Sequence, residues 1–326
     1  MPVSIGRHVA QPIVTIAITC YDAENTIVRA VESALAQTWP EREILVVDDG
    51  STDGSVALLR GLEQTHQAVR LIRHDANCGV AAARNTLLAR ANGAFIAFFD
   101  DDDESAPHRL EQQYRRLLDY ELTHPAATVL CYSNRDVVRM GERRPTAQPV
   151  GIGRLAPAPS GPMVADYVLG LFKDDGRHSW GKLGSGTLMA RTDGLRILGG
   201  FDSQFRRCAE LDLAVRAALN GAHFISVDAP LVTQYLTSTG DKGDNADLRY
   251  RLLLVKKHAG YLKEKRCLLG AWCYMHSRFH RERKLRWRLW YVAALVCFPW
   301  HLSQERLKRS SLLARLRLLA ARTAAS

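Results

Sequence analysis

The chain has 326 residues, of which 47% are hydrophobic, 24% charged and 8% aromatic. These proportions exclude disordered, collagen-like and disulfide-scaffold classes and allow a sizeable core. The net charge of +10 is unevenly spread: residues 249–326 hold 19 Lys and Arg against three acids, a net of +16, which leaves −6 on residues 1–248. An acidic body with a basic C-terminal region points to an anionic partner surface, either nucleic acid or a membrane leaflet.

In chain order, short apolar runs alternate with helical patterns through the first hundred residues, the signature of βαβ units and a largely parallel, doubly wound sheet. Strands are predicted at Ile13 to Thr19, Glu43 to Val47, Val69 to His74 and Phe95 to Phe99. Helices are predicted at Thr26 to Gln37, Ser55 to Thr65 and Val80 to Ala91, where apolar residues recur at three and four. Residues 141–162 contain five prolines and read as a flexible loop, a lid or acceptor-binding segment. Order returns with a helix near Met163 to Phe172, a strand near Thr187 to Arg191, a helix from Glu210 to Asn220 and a strand from His223 to Val227. From Leu248 onward the pattern is helical and basic.

In open α/β sheets ligands bind beyond the carboxyl ends of the strands, and the polar clusters of this sequence fall there. The first predicted strand runs into Thr19, Tyr21 and Asp22, the second into Asp48, Asp49, Gly50 and Ser51, and the fourth into Asp100, Asp101, Asp102 and Asp103. Four consecutive aspartates repel one another unless a cation neutralises them. Their hard oxygen donors suit Mg²⁺ or Mn²⁺, whose shell is completed by waters and substrate phosphates; a solvated acidic turn ahead of the helix at Pro107 is the plain alternative. No GxxxxGK[ST] string occurs, and no GxGxxG stands between a strand and a helix, so neither a P-loop nor a dinucleotide fold is expected.

The strings TIAITCYDAENTIVRAVESALAQTWPEREILVVDDGSTDGS and NCGVAAARNTLLARANGAFIAFFDDDDESAPHRL resemble the nucleotide-sugar half of family 2 glycosyltransferases of the GT-A fold. The resemblance is strong over residues 12–120 and looser from Gly199 to Tyr235. It implies a metal-dependent, inverting transferase that uses a nucleotide sugar, UDP-sugar foremost. It assigns donor binding to Thr19, Tyr21, Asp22, Asp49, Asn77, Gly79, Arg84, Asp100 and Asp101, with Asp49 accepting from a base N–H. The metal, Mn²⁺ or Mg²⁺, falls to Asp102 and Asp100, with Asp103 in support. The later string GGFDSQFRRCAELDLAVRAALNGAHF carries Ala209-Glu210 where the family has Glu-Asp, so the general base falls to Glu210, with Asp212 as the alternative. In a purely structural reading Asp212 pairs with Arg216 at i+4. His178 and Trp180 are candidate acceptor contacts.

The implied organisation is a catalytic domain over residues 1–240, with a nucleotide-sugar half at about 12–130 and an acceptor half at about 160–240, followed by a helical, basic region at 241–326. The apolar run Trp290 to Trp300 is about eleven residues, too short for the ~20 that span a bilayer. Flanked by Arg and Lys, it suits a helix lying on an anionic membrane, and packing against the catalytic domain is the alternative. Cys267, Cys273, His276 and His280 fall in a helical stretch without CxxC knuckles, which disfavours zinc there. The seven scattered cysteines, with no apolar leader ahead of Ile13, fit a reducing compartment. The expected setting is the cytoplasmic face of a membrane, with a glycan or polyprenyl-lipid-linked acceptor and no nucleic acid. A nucleotidyltransferase on a similar sheet, or a non-catalytic anion- or nucleic-acid-binding protein using the basic tail, are the other functions weighed.

Overall fold

The computed structural model describes residues 11–125, 127–139, 141–142, 144–171, 176–236, 244–279, 289–290 and 292–293. The chain forms two compact units, one of residues 1–162 with 176–239 and the other of residues 163–175 with 240–326.

The first unit begins with β1 (Val14–Cys20), α1 (Ile27–Leu35), β2 (Arg42–Asp48), α2 (Ser55–Thr65), β3 (Val69–Arg73), α3 (Val80–Arg90) and β4 (Phe95–Asp100). These are the predicted βαβ units, with ends within a few residues of those read from the sequence. β1 is buried at six of its seven positions, as expected of a strand covered on both faces by crossover helices. Ile16, Ile18, Ile44, Val46, Phe95 and Phe99 meet Ile27, Val31 and Leu59 of the helices in one core. Each large apolar side chain buried this way contributes about 1.5–3 kcal/mol.

Beyond β4 come β5 (Glu104–Ser105), α4 (Arg109–Thr123), β6 (Val129–Arg139), β7 (Met189–Arg191), α6 (Thr192–Ile197), α7 (Ala209–Leu219) and β8 (His223–Leu236). A single 3-10 turn at Ser185–Thr187 precedes β7. The eight strands form one sheet in the order β3-β2-β1-β4-β7-β6-β8-β5. β1 to β4 pair in parallel, β7 is antiparallel to β4 and β6, β6 and β8 are parallel, and β5 is antiparallel to β8. Six strands therefore point one way, and their carboxyl ends share one edge. The mostly parallel, GT-A-like α/β sheet expected from the sequence is present.

The proline-rich stretch differs from the free loop expected. Gly151, Ile152 and Gly153 are buried and dock on the sheet: Ser226 Oγ donates to the Ile152 carbonyl at 2.6 Å, and Gly151 N donates to Asn134 Oδ1 at 2.9 Å. A Cβ on Gly151 would overlap Ser226, and one on Gly153 would overlap the Phe224 carbonyl. The glycines admit backbone against backbone, a use that composition does not distinguish from flexibility.

The second unit contains α5 (Pro162–Leu169), α8 (Asp244–Lys257), α9 (Ala259–Glu264) and α10 (Leu268–Phe279). Within it the Tyr261 hydroxyl donates to Asp166 at 2.7 Å and Lys265 Nζ reaches the same carboxylate at 2.6 Å. Among the described residues no helix is long and apolar enough to cross a membrane. Most of the run Trp290 to Trp300, the basic tail after it and His280 lie outside the described residues, as does the expectation of a surface helix there.

Candidate active site

The carboxyl edge of the parallel strands gathers residues far apart in sequence. After β1 the chain turns through Tyr21 and Asp22, the latter in the left-handed region at φ 46°, which aspartate tolerates better than most residues. Ser51 and Thr52, from the turn after β2, hold it there. Asp22 N donates to Ser51 Oγ at 2.9 Å, and Thr52 N donates to Asp22 Oδ1 at 2.8 Å. Gly50, at φ +76°, sits so close to Ala76 that a Cβ would fall 2.7 Å from its carbonyl carbon. The third strap, residues 74–79, is thereby pressed against the second.

Asp49 fastens that third strap. It is nearly fully buried; its Oδ1 accepts from Cys78 N at 3.0 Å and lies 2.7 Å from His74 Nδ1, while Oδ2 accepts from Gly79 N at 2.7 Å. A carboxylate offers about four acceptor positions, and these contacts take three. Gly79, at φ +92° ahead of α3, can present its N–H because it lacks a Cβ. Asn77 is half-buried on the same turn, and Thr19 is half-buried at the end of β1.

The aspartates after β4 are arranged differently. Asp100 Oδ1 lies 3.3 Å from the buried Arg84 guanidinium, and a Cβ on Gly186 would overlap its other oxygen. Asp101 Oδ2 accepts from Tyr21 N at 3.1 Å, joining the first and fourth strand ends. Burial, then the neighbouring Asp102 and Asp100 charges, push Asp101 up to about 7. Burial and the charges of Asp100 and Asp102 push Asp103 up to about 8 against the pull of Arg135. Beneath them Arg109 is fully buried, donating to Gln113 Oε1, Ser105 Oγ and the Phe98 carbonyl at 2.9–3.0 Å. Its burial lowers it to about 9 against the pull of Asp100 and Asp103. Arg29 donates to the Asp102 carbonyl at 2.6 Å and lies 4.0 Å over the Tyr235 ring.

Burial and the charges of their neighbours raise these carboxyls, and the donors of the group are all oxygens. Such a set fits a hard divalent cation, which would reverse the shifts by favouring the ionised forms.

On the other side, α7 starts after Cys208, which is left-handed at φ 62°. Glu210 occupies its half-buried first turn and adds its charge to the burial that holds the Tyr132 phenol far above its usual range. Asp212 is wholly buried and ion-paired to Arg216 at 2.8 Å. The same guanidinium donates to the Leu198 carbonyl and, at 2.5 Å, to that of Gly200. Asp212 therefore staples the 199–202 turn to α7. Asn85 exchanges two hydrogen bonds with Phe201, at 2.7 and 2.8 Å, and the Phe201 ring lies 5.4 Å below Arg84. The turn thus braces the helix that positions Asp100. His178 and Trp180 are half-buried, with ring centroids 6.0 Å apart. The Ser179 between them ties their loop to the docked stretch, its carbonyl accepting from Gly153 N and its hydroxyl from Leu155 N.

Of the residues read from the sequence, Thr19 lies at the end of β1, and Tyr21, Asp22, Asp49, Asn77 and Gly79 lie on the turns after β1, β2 and β3. Asp100 ends β4 and Asp101 and Asp102 follow it, with Arg84 beside Asp100. Glu210 and Asp212 lie on the first turn of α7, and His178 and Trp180 lie in the loop tied to the docked stretch. Sequence reasoning missed His74, Arg109, Gln113 and Gly186. Arg109 stands four residues from both Ser105 and Gln113, a spacing visible in the sequence, but a buried arginine is not what that spacing ordinarily signals.

Residues 15–159 match the family described as Glycosyl transferase family 2. The succinoglycan biosynthesis protein ExoO of Rhizobium meliloti (strain 1021) is 40% identical over 132 residues, covering 40% of this chain and 36% of that protein. The UDP-Glc:alpha-D-GlcNAc-diphosphoundecaprenol beta-1,3-glucosyltransferase WfgD of Escherichia coli is 34% identical over 126 residues, 39% of this chain and 49% of that one. The putative teichuronic acid biosynthesis glycosyltransferase TuaG of Bacillus subtilis (strain 168) is 35% identical over 109 residues, 33% of this chain and 43% of that one. The chain spans about a third to a half of the length of these relatives. The crystal structure of S. aureus TarS 1-349 in complex with UDP-GlcNAc superposes with a TM-score of 0.53 at 15% identity, over 92% of this chain and 93% of that one. That likeness is one of fold.

Proposed function

We propose, from the premise that residues 15–159 are a family 2 glycosyl transferase domain, that this chain transfers a sugar from a nucleotide-sugar donor to a glycan acceptor in surface polysaccharide biosynthesis. The observation that carries the reading is the acidic group at the end of β4. It stands at the carboxyl edge of the parallel strands, with Asp101 and Asp103 raised by burial and by their neighbours' charges, joined to the β1 turn through Asp101 and braced by Arg84. The printed names of the relatives support the polysaccharide setting, and the neighbour solved with UDP-GlcNAc supports a UDP-sugar.

In this reading Thr19, Tyr21, Asp22 and Asn77 border the nucleotide, and Asp49 acts by fixing the 77–79 turn, with one acceptor position left for the base. Asp102 and Asp100 hold Mn²⁺ or Mg²⁺, which when bound supplies charge opposite the donor diphosphate. Arg84 keeps the Asp100 carboxylate oriented. Glu210 removes the proton of the acceptor hydroxyl as its oxygen attacks the anomeric carbon. The bond to the diphosphate breaks on the opposite face, the nucleoside diphosphate departs, and the linkage is inverted. His178 and Trp180 flank the acceptor. The basic region at 241–326 would meet an anionic membrane carrying a polyprenyl-linked acceptor, in keeping with the diphosphoundecaprenol in one relative's name.

The test is hydrolysis of a panel of nucleotide sugars with and without Mn²⁺. One donor hydrolysed by the wild type and spared by Asp102→Ala supports the reading. A protein that binds no nucleotide sugar by calorimetry, with metal and lipid vesicles present, overturns it.

A further inference from the structure

One group of side chains on this edge is of a different chemical kind from the aspartates. Asp49, His74 and Cys78 bring a carboxylate oxygen, an imidazole nitrogen and a thiol sulfur within 4.8 Å of one another. We propose that these three residues form a binding site for a thiophilic divalent cation of the Zn²⁺ class, separate from the oxygen-only set after β4.

The donor set decides the class. An O, N, S triad with a thiolate suits a borderline or soft ion, whereas Mg²⁺ is served by carboxylates, carbonyls and water. In a tetrahedral zinc sphere with bonds of about 2.0–2.3 Å the donors stand roughly 3.3–3.8 Å apart. Closing from the observed spacing takes about an ångström, which Cys78 can supply. It is exposed, and its Sγ makes a 3.3 Å contact with the Ala76 carbonyl that rotation about one side-chain bond would exchange for the ion.

The other two donors are held side by side and must part by about 0.6 Å to share the ion. Asp49 is held by the N–H groups of Cys78 and Gly79. His74 Nδ1 is 2.7 Å from Asp49 Oδ1, and His74 Nε2 is 2.9 Å from Thr86 Oγ1 on α3. On binding, the ion takes the place of the hydrogen between Nδ1 and Oδ1. The neutral imidazole then carries its hydrogen on Nε2 and donates to the Thr86 hydroxyl, the outer-shell contact that metal-bound histidines usually make. The Cys78 thiol passes its proton to solvent. Three protein ligands leave one position for water or an exogenous ligand.

Co²⁺ titration of the full-length protein in Mg²⁺-containing buffer tests this, because cobalt reports its ligands by colour and Mg²⁺ occupies the oxygen-only set. One equivalent of Co²⁺ should produce a thiolate-to-cobalt band in the near ultraviolet that Zn²⁺ then abolishes. Cys78→Ser, at an exposed position and with an unchanged melting temperature, should lose that band. Thr86→Val should keep it with metal affinity about tenfold weaker. A wild type with no thiolate band, or a Cys78→Ser protein with the wild-type spectrum, overturns the proposal.

Discussion

The carboxylates after β2 and those after β4 stand on the same edge of the same sheet in different surroundings. Asp49 accepts two backbone N–H groups and faces an imidazole. Nearby, burial pushes Asp53 up, but hydrogen bonds from Ser55 and from Glu24 N outweigh it and leave that carboxyl below its ordinary range. Asp101 and Asp103 are raised to about 7 and about 8 by burial first and then by the charges of Asp100 and Asp102. Aspartate at a strand end is thus two different things. Donors convert it into a structural clamp, whereas like charges leave it in want of a cation.

The comparison can be broken or sharpened experimentally. Glu210→Gln should lower sugar transfer by about 10²–10⁴-fold, the usual worth of a general base, with donor binding unchanged by calorimetry. Equal loss in Asp212→Asn with a normal melting temperature would move the base to Asp212. Asp102→Ala should cost about 10²–10³-fold in turnover, as expected for lost electrostatic stabilisation, while leaving thermal stability intact.

Asp49→Ala should do the reverse, destabilising the fold by about 1.5–3 kcal/mol in urea unfolding, the range for hydrogen bonds to a charged group. If Asp49→Ala unfolds no more easily than Asp102→Ala, the distinction between the donor-held carboxylate and the charge-crowded group fails.

The last effect is in pH. The raised carboxyls bind more protons in the folded than in the unfolded chain, whose aspartates titrate near 3.9. Without divalent ions, stability should therefore fall as pH rises from about 4 to about 8. Saturating Mn²⁺ should flatten that slope in melting curves.

Much of the first half was legible because its signals are local. The strands at Val14–Cys20, Arg42–Asp48 and Phe95–Asp100 are short apolar runs closed by polar residues, and the helices between them carry their own periodicity. The second half is less so. β6 is paired with β8 ninety residues later, and β7, three residues long, is inserted antiparallel between β4 and β6, a pairing that no local pattern encodes. The buried glycines at 151 and 153 carried the composition of a flexible loop because the backbone they admit lies in a distant strand.

The sequence by itself determined the α/β class, the strand ends where polar residues cluster, and the four consecutive aspartates, since alternation, spacing and adjacency are properties of the chain. The tertiary structure alone decided which aspartate is held by donors and which is crowded by burial and like charge, that Arg216, paired with Asp212, reaches the Gly200 carbonyl, and that Asp49, His74 and Cys78 meet. Hydrogen bonding, desolvation and charge repulsion act through space, and residues that supply them, such as Asn85 and Phe201, lie 116 positions apart in the chain.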